Sequence, residues 1–433
     1  MSLDLGLTAA SYAMASIVLY YLALFALSAR RQRREVDLGY RPLFVVLVPA
    51  RNEELVLKET LSSLGDLKYS GEFRVLVIDD GSTDRTWKIC KLFRRHDDRV
   101  RAIRRPREIA GRGKSDVLNQ AYKAVTEWQA AGDPWLDGAA PGDIVLGIVD
   151  ADGRLDDRCL EVVAPYFADG AVGTTQIGVR IANAGRGLLA RLQDMEFVAF
   201  TWLVQIARDR LGSSGLGGNG QFTRLSALAT LGSAPWKVTA LTEDLDLGLQ
   251  LVEHGWRTRF CQNSYVEQQG LEHWRPLLRQ RTRWIQGHYQ CWGHLPRLWS
   301  TRGVPMAARL DLSLYLLLVL TVMLVTSTVV LGILGSEHVL SVQNSFLVGI
   351  VPSGVSYRIV SLLLSTLPLI AFMTSYQLHS PHRFRWFQVP AAAALFTLYT
   401  YVWTIATLRA WWRIALRQKT WVKTPRIALG PAS

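Results

Sequence analysis

Cysteine is scarce in this chain: four cysteines are spread over 433 residues, and no two of them form a Cys-x-x-Cys pair. That absence argues against a zinc ribbon and against a disulfide framework. The eight histidines form no His-Glu-x-x-His array, so carboxylates are the only metal ligands that the sequence suggests. We therefore expect four reduced, partly buried thiols: Cys90, Cys159, Cys261 and Cys291.

Acidic residues are also in deficit, with 36 Asp and Glu against 49 Lys and Arg, which gives a formal net charge of +13. Basic residues cluster at 30–34 and 409–426, directly beside apolar segments. Juxtamembrane clusters of this kind usually face the cytoplasm and anionic lipid. No nucleic-acid-binding module accompanies the charge, so the sequence indicates a lipid bilayer as partner and no nucleic acid.

Long apolar runs flank a more polar centre. Residues 9–29 carry no charge, can cross a ~30 Å hydrocarbon core and lack a signal-peptide cleavage site, which indicates a retained anchor. Three further spans are predicted at 310–334, 359–373 and 389–408. A weaker run at 339–351 decides the topology, because counting it brings the basic tail to the cytoplasmic side, and we favour that arrangement.

Two segments between these runs have helical character. Aromatic and basic side chains alternate over 273–299, which suits the bilayer interface. Residues 188–211 fit either a membrane-surface helix or an ordinary core-facing amphipathic helix. The predicted organisation is therefore an amino-terminal anchor with its basic flank (1–34), an α/β domain (40–270), interfacial amphipathic helices (271–305), carboxy-terminal spans (306–412) and a basic cytoplasmic tail (413–433).

Three short β-branched runs, Phe44–Val48, Arg74–Ile78 and Asp143–Val149, are separated by helix-like segments. This alternation predicts a doubly wound, Rossmann-like α/β domain with a mostly parallel sheet. Ligands of such sheets lie beyond the carboxyl ends of the strands. Polar motifs follow all three runs there, so we expect a site at that edge: Pro49-Ala50-Arg51-Asn52-Glu53, Asp79-Asp80-Gly81-Ser82 and Asp150-Ala151-Asp152.

The acidic motifs suit a metal-bound diphosphate. An Asp-x-Asp pair such as Asp150 and Asp152 can hold Mg²⁺ or Mn²⁺ between two phosphates, and the ion then neutralises charge on the leaving group. Asp79 or Asp80 can bind the polar groups of uracil or ribose. The structural alternative for that pair is an Asx-turn stabilised by Gly81 and Ser82.

Thr242-Glu243-Asp244 opens a helix-like segment and permits two interpretations. Thr242 and Glu243 make a good helix-capping arrangement. Alternatively, Asp244 faces the site and takes a proton from an acceptor hydroxyl. Direct displacement at an anomeric carbon needs one such base and inverts the configuration. In the company of the other acidic motifs, we favour catalysis.

Three further motifs are candidates for binding. Arg283, in Gln280-x-x-Arg283-Trp284, can pair with a diphosphate while Trp284 stacks on a sugar ring; the alternative is an interface helix with a snorkelling arginine. The glycine-rich turn 215–224, with Gly218 and Asn219, allows close backbone approach to a ligand or is a plain flexible loop. Lys114 suits a phosphate or a surface salt bridge.

In order along the chain, these motifs (Pro-Ala-Arg-Asn-Glu, Asp-Asp-Gly-Ser-Thr-Asp, Gly-Lys-Ser-x-x-x-Asn, Asp-Ala-Asp, Thr-Glu-Asp and Gln-x-x-Arg-Trp) resemble those of membrane-integrated family-two glycosyltransferases. Cellulose, chitin and hyaluronan synthases belong to that group. The resemblance covers about 44–284 and implies a GT-A fold, a UDP-sugar donor and Mg²⁺ or Mn²⁺. The tail segment 421–426 looks like the tail motif that covers the nucleotide in such synthases.

The resemblance also implies roles for single residues. Asp244, with Glu243 beside it, would be the general base, and Asp152 would hold the metal. Donor and nucleotide binding would fall to Ala50, Arg51, Glu53, Asp79, Asp80, Lys114, Asp150 and Arg283. The acceptor would meet Gln280, Trp284, Gly218 and Asn219.

The leading interpretation is a processive, inverting hexosyltransferase that extends a β-linked polysaccharide and passes it through its own membrane helices. It would be a multi-pass protein of the plasma membrane with a cytoplasmic catalytic domain, and a homodimer is left open. The alternative is a non-processive transferase that adds one sugar to a lipid acceptor. A non-catalytic membrane subunit or transporter has no physical need for these acidic motifs.

Overall fold

The computed structural model describes residue 16 and residues 19–30, 37–317 and 369–418. The weak predicted span 339–351 and the tail motif 421–426 lie outside the described residues. So do most of the predicted spans 310–334 and 359–373 and the first half of the predicted anchor.

An eight-stranded sheet forms the centre of the described chain, in the order β3-β2-β1-β4-β7-β6-β8-β5. The three predicted strands are confirmed as β1, β2 and β4. The strands are β1 (Leu43–Ala50), β2 (Phe73–Asp79), β3 (Val100–Arg104), β4 (Ile144–Ile148), β5 (Arg154–Leu155), β6 (Val172–Ile181), β7 (Gln221–Arg224) and β8 (Arg257–Gln268).

The sheet is mixed: four of its seven strand pairings are parallel, in line with the prediction of a mostly parallel sheet, and three are antiparallel. The half formed by β3, β2, β1 and β4 is parallel throughout. Beyond it, β7 runs antiparallel to β4 and to β6, β8 runs parallel to β6, and β5 runs antiparallel to β8. The second half escaped prediction because β6 buries polar residues: Thr174 donates to the carbonyl oxygen of Phe222 and lies 2.9 Å from the hydroxyl of Thr223.

Helices cover both faces of the sheet and extend away from it. Residues 19–28, 306–317 and 369–379 are also helical. The remaining helices are α1 (Leu57–Gly65), α2 (Thr86–His96), α3 (Lys114–Ala130), α4 (Cys159–Val163), α5 (Leu188–Ala199), α6 (Ile206–Leu211), α7 (Leu225–Ala229), α8 (Glu243–Glu253), α9 (Trp274–Gln290), α10 (Leu295–Ser300) and α11 (Val389–Ala415).

Strand β1 shows why the sheet is enclosed on both faces. Successive side chains of a strand point to opposite faces, and in β1 both sets are apolar. Phe44 and Val46 pack with helices α1, α2 and α4, whereas Val45 and Leu47 pack with α3, α7 and α8. A strand that is apolar on both faces must be covered by helices on both sides. Polar side chains that bind a ligand can then lie only at the ends of such a strand.

Residues 188–211 form α5, one π-helical stretch (Phe200–Gln205) and α6. Leu192 and Met195 of α5 pack against α11, and Val204 and Ala207 pack against the helix at 19–28. The segment therefore faces a core on several sides, in agreement with the core-facing alternative. It lies between the sheet domain and the apolar helices.

Among the described residues, one helical stretch is long and apolar enough to cross a membrane: Trp386–Ala415, which includes α11. It contains the predicted span 389–408. Leu398, Ile405 and Trp412 recur every seven residues on this helix and are each more than half exposed. A stripe of large exposed apolar side chains of this kind indicates contact with lipid or with another protein surface.

Candidate active site

The predicted nucleotide-binding residues meet at the carboxyl ends of β1 and β2. The backbone N–H of Asp80 donates to the carbonyl oxygen of Ala50 at 2.8 Å. The Asp80 carboxylate accepts from Arg51 Nη1 at 3.3 Å and from the backbone N–H of Gly111 at 3.0 Å. Its other oxygen accepts from Arg105 Nη1 at 2.6 Å. Asp80 therefore organises a basic surface at this edge.

Asp79 has a different position from its neighbour. Its side chain is fully buried, Oδ1 accepts from the backbone N–H of Ser82 at 3.2 Å, and Oδ2 lies 3.2 Å from Arg104 Nε. Gly81 completes the turn with a φ of +64°. These contacts match the turn-stabilising role that the sequence left open for Asp79. Asp80, by contrast, reaches the loop before α3, where it binds the backbone of Gly111.

The loop after β1 is fixed to the loop after β2. Asn52 has a φ of 52°, which asparagine tolerates better than most residues. Its backbone N–H donates to Ser82 Oγ at 2.9 Å, and the backbone N–H of Glu53 donates to Thr86 Oγ1 at 2.8 Å. These bonds position the buried Glu53 side chain and make the loop pair a single rigid rim.

Lys114, the first residue of α3, joins three predicted parts of the site. Its Nζ donates to Asp150 Oδ1 at 2.5 Å and to the carbonyl oxygen of Gly218 at 2.8 Å. Burial lowers the pKa of Lys114, but the charges of Asp150, Glu243 and Asp244 outweigh it, and the net effect raises the pKa. The lysine is therefore a fixed cation beside the acidic cluster, and it forms a half-buried salt bridge with Asp150.

Asp150 and Asp152 follow β4. The backbone N–H of Asp150 donates to Asn219 Oδ1 at 3.2 Å, and Asp152 Oδ2 accepts from the backbone N–H of Gln269 at 3.1 Å. Among the described residues, no group of three or more His, Cys, Asp or Glu side chains forms a metal cage. Asp150 and Asp152 are the carboxylates here that would hold Mg²⁺ or Mn²⁺, since hard cations take oxygen ligands and often complete their shell with water and substrate phosphates.

Asp244 lies at the start of α8, directly beside Glu243. The Thr242 side chain makes no capping hydrogen bond there, contrary to the capping alternative. Burial and the charge of Glu243 raise the pKa of Asp244 to about 7, although Lys114 and Arg283 partly oppose the rise. A carboxylate with a pKa near neutrality suits a general base.

The Gln280-x-x-Arg283-Trp284 motif lies on α9 and points in two directions. Arg283 Nη1 donates to the carbonyl oxygen of Leu241 at 2.7 Å, just before Asp244. Trp284 instead lies under the Arg281 guanidinium, whose carbon is 4.0 Å from the ring centroid. Gln280 Oε1 accepts from Arg281 Nη1 at 3.0 Å. The structure thus brings Arg283 close to Asp244 and places Trp284 towards α11.

Sequence reasoning missed three buried charged groups around the site. Arg105 is bound by Asp80, Asp116 and Gln120 and holds the loop before α3. Arg281 pairs with Glu196 at 2.8 Å. His294 lies between Asp246 and Glu253, at 3.0 and 2.7 Å. Each pairing joins residues that are not neighbours in the sequence. The signal available for Arg281 was its position at helical spacing from the buried Leu277 and Ile285.

A mixed sheet with acidic residues beyond its strands, and a carboxylate of raised pKa close to them, is compatible with the GT-A glycosyltransferase class that the sequence motifs resemble. The comparison with known families agrees: a family model described as "Glycosyltransferase like family 2" matches residues 41–287. The chain belongs to this family.

Individual relatives have several acceptors. Over 281 residues the chain is 32% identical to a beta-monoglucosyldiacylglycerol synthase of Synechocystis sp., covering 64% of this chain and 54% of that protein. It is 24% identical over 250 residues to a poly-beta-1,6-N-acetyl-D-glucosamine synthase of Staphylococcus aureus, covering 56% and 54%. The chain spans about half the length of the curated relatives it matches.

A solved structure extends the likeness in fold beyond the sheet domain. The mannosyltransferase PcManGT from Pyrobaculum calidifontis, in complex with GDP-Man and Mn²⁺, aligns with a TM-score of 0.60 at 17% identity. The alignment covers 94% of this chain and 99% of that one.

Proposed function

We propose that this protein transfers one sugar, with inversion, from a UDP-sugar to the hydroxyl of a membrane lipid, and that Asp244 is the base. The observation that carries the proposal is the convergence of Lys114, Asp150, Glu243 and Asp244 on one centre, where the pKa of Asp244 is about 7. The proposed proton acceptor and the proposed diphosphate-binding groups are thus close enough for their charges to shift each other's pKa.

The donor side follows from charge. Lys114 and Arg283 are cations that can meet the diphosphate, and Asp80 holds Arg51 and Arg105 at the nucleotide end of the same edge. Asp150 and Asp152 would hold a divalent cation, which when bound supplies positive charge to the departing diphosphate. The Gly218 carbonyl fixes Lys114 and keeps its ammonium close to Asp150.

The acceptor side follows from the base. The attacking hydroxyl gives its proton to Asp244, whose raised pKa makes the transfer favourable near neutral pH. A hydroxyl on the face opposite the leaving group attacks the anomeric carbon once, so the product has inverted configuration. The proton stays on Asp244 until water removes it.

A lipid acceptor is supported by the apolar surroundings and by the relatives. Leu298, Val304 and Leu312 form a buried apolar cluster against α8, the helix whose second residue is Asp244, and α11 exposes a stripe of apolar side chains. A beta-monoglucosyldiacylglycerol synthase shares 32% identity with the chain, against 24% for a polysaccharide synthase. An acceptor that diffuses in the bilayer would reach Asp244 from this apolar side.

A processive synthase is the second candidate function. The Gln280-x-x-Arg283-Trp284 motif favours it, because an aromatic ring at the acceptor entrance can hold a growing chain. In the structure, however, Arg281 covers the Trp284 ring and Trp403 lies 6.1 Å from it, centroid to centroid. Trp284 therefore contributes to packing against α11, and a single-sugar product is the better-supported alternative.

The test is turnover by the full chain in vesicles that contain diacylglycerol, with Mn²⁺ and a panel of radiolabelled UDP-sugars. We expect one sugar per lipid in the product. Asp244→Asn should lower turnover by about 10³-fold or more, because the base is lost, with an unchanged melting profile. Long oligosaccharides would establish processivity instead, and normal turnover by the Asn variant would refute the base assignment.

A further inference from the structure

Helix α6 contains a buried arginine that the catalytic scheme does not use. The Arg208 side chain is fully buried, and its Nε donates to Asp311 Oδ2 at 2.8 Å. Among the described residues, neither terminal nitrogen, Nη1 or Nη2, has a hydrogen-bond partner. Buried donors without partners are unfavourable and rare in native proteins, so this guanidinium is arranged for a group that arrives with a ligand.

The surroundings hold Arg208 in place without satisfying these donors. The Tyr315 ring centroid lies 4.0 Å from its guanidinium carbon. The second oxygen of Asp311 accepts from the Tyr20 hydroxyl at 2.7 Å, so the carboxylate is held from both sides and does not turn towards Nη1 or Nη2. Asp311 and Tyr315 lie on the helix at 306–317, so the guanidinium is at the junction of the sheet domain and the apolar helices.

The glycine-rich turn connects Arg208 with the base. A β-carbon on Gly215 would lie 3.1 Å from Arg208 Nη1, and a β-carbon on Gly218 would lie 2.9 Å from Asp244 Oδ2. Three residues of chain extend at most about 11 Å. Gln205 fixes the near end of the turn by donating to the Gly215 carbonyl at 2.8 Å. The guanidinium and the proposed base therefore border the same short turn, one near Gly215 and the other near Gly218.

The local charge balance favours a neutral oxygen over a charged one as the hydrogen-bond acceptor for Arg208 Nη1 and Nη2. Asp311 already balances the positive charge of Arg208, so the pair is neutral overall. A phosphate there would add uncompensated negative charge next to Glu243 and Asp244, in a buried environment where charges are costly. A neutral carbonyl oxygen accepts hydrogen bonds from Nη1 and Nη2 without that cost. Diacylglycerol has two ester carbonyls within a few bonds of its free hydroxyl.

We propose that Arg208 Nη1 and Nη2 form an acceptor subsite that binds the ester carbonyl oxygens of a diacylglycerol-type lipid and directs its free hydroxyl towards Asp244. This inference rests on the proposed transfer to a lipid and adds which part of the lipid is recognised. Arg208 is a binding residue, and no bond is made or broken at it.

The experiment compares two acceptors that differ only in the carbonyl groups: an ester-linked diacylglycerol and its ether-linked dialkylglycerol analogue. Each is presented to the full chain in vesicles of neutral phospholipid. Wild-type protein should prefer the ester lipid by about 10-fold or more in kcat/KM, as expected for hydrogen bonds from a charged donor. Arg208→Lys keeps the charge but loses the paired donors, so the preference should fall to near unity.

Two further measurements separate binding from a structural role. In Arg208→Lys, the KM for the UDP-sugar should stay at the wild-type value, because Arg208 does not contact the proposed donor-binding residues. Arg259→Lys is the matched control. Arg259, on β8, forms a 3.0 Å ion pair with Asp209, the neighbour of Arg208 on α6, and this variant should keep the full preference for the ester lipid. Gly215→Ala serves as a second test if Arg208→Lys does not fold. Its new methyl group would press on Arg208 Nη1 but leave the ion pair with Asp311 intact, so this variant should also lose the preference for the ester lipid.

Each remaining outcome has one meaning. Equal use of ester and ether lipids by the wild type, or an unchanged preference in both Arg208→Lys and Gly215→Ala, overturns the subsite. Preferential transfer to a polyprenyl phosphate that Arg208→Lys weakens would show an anion site and overturn the carbonyl assignment. Failure of wild-type protein to glycosylate any lipid refutes the proposed function itself, and that result needs no variant.

Discussion

Oδ2 of Asp244 lies 2.9 Å from the position that a β-carbon on Gly218 would occupy. Gly218 has a φ of +73°, and its carbonyl oxygen accepts a hydrogen bond from Lys114. One glycine thus borders the proposed base on one side and the central lysine on the other. The acceptor and donor sides of the site meet here without a side chain between them.

We therefore expect Gly218→Ala to lower kcat by about 100-fold, because a displacement of about 1 Å at a catalytic group costs that much. The matched control is Gly232→Ala. Gly232 has a similar positive φ of +94° but no atom within 4 Å of its β-carbon position. Both variants should lose about 1 kcal/mol of stability from backbone strain. Kinetics and thermal melts measure the two effects, and equal activity in the two variants would contradict the argument.

The pH profile tests the coupling between Glu243 and Asp244. Asp244 must be deprotonated to accept a proton, so wild-type kcat should rise with pH through about 7. The charge of Glu243 contributes to the raised pKa of Asp244, second to burial. Glu243→Gln should move the rise to lower pH by about 0.5–1 unit. Glu253→Gln, at the other end of α8, is the control and should leave the pH profile unchanged. An unchanged profile in Glu243→Gln would show that the charge of Glu243 does not raise the pKa of Asp244.

Lys114 should act on the donor. Lys114→Met removes the cation that contacts Asp150 and leaves the acidic centre uncompensated. We expect the KM for the UDP-sugar to rise and kcat/KM to fall by about 100-fold, with little change in the KM for the lipid. Lys123 lies on the same helix but is exposed, so Lys123→Met should behave as wild type. An increase in the KM for the lipid alone would contradict this assignment and show that Lys114 acts on the acceptor.

His294 should make stability depend on pH. Burial lowers its pKa, but hydrogen bonds to Asp246 and Glu253 outweigh burial and raise the pKa to about 9. A raised histidine pKa stabilises the fold fully below about 6.5, and that contribution is lost as the pH rises through about 9.

The free energy of unfolding of wild-type protein should therefore fall between pH 7 and 10, by about 2–3 kcal/mol at most. His294→Gln should be less stable at pH 7 and lack this fall, whereas His254→Gln, at an exposed position just after α8, should keep it. Denaturant melts across the pH range measure the difference. A wild-type curve without the fall would rule out a charged His294.

The parallel half of the sheet was predictable because it follows local rules, and so was the edge of the sheet at which the candidate site lies. Apolar runs such as 44–48 specify doubly covered strands, and ligand groups then lie at the strand ends, where Asp80 and Asp150 are found. The close contact of Lys114 with Asp150 could be expected only in outline, since the two are 36 residues apart.

The rest depends on long-range pairing that no local pattern encodes. Arg281 and Glu196 are 85 residues apart, and His294 and Asp246 are 48 apart. In a linear sequence each looks like a polar residue on a helix, and only the assembled fold shows that its charge is buried and balanced. Strand β6 escaped notice because it buries polar side chains such as Thr174, whose hydrogen-bond partners lie on β7.

All four cysteines of the chain are buried, and burial raises the pKa of each thiol, to about 12 for Cys90, Cys261 and Cys291. Thiols held in this protonated, inaccessible state react slowly with maleimides and iodoacetamide. A new cysteine introduced on the exposed stripe of α11 would thus be the fast-reacting one. Fluorescent or spin probes can then report how deep that stripe lies in a bilayer without first replacing the native sulfhydryls.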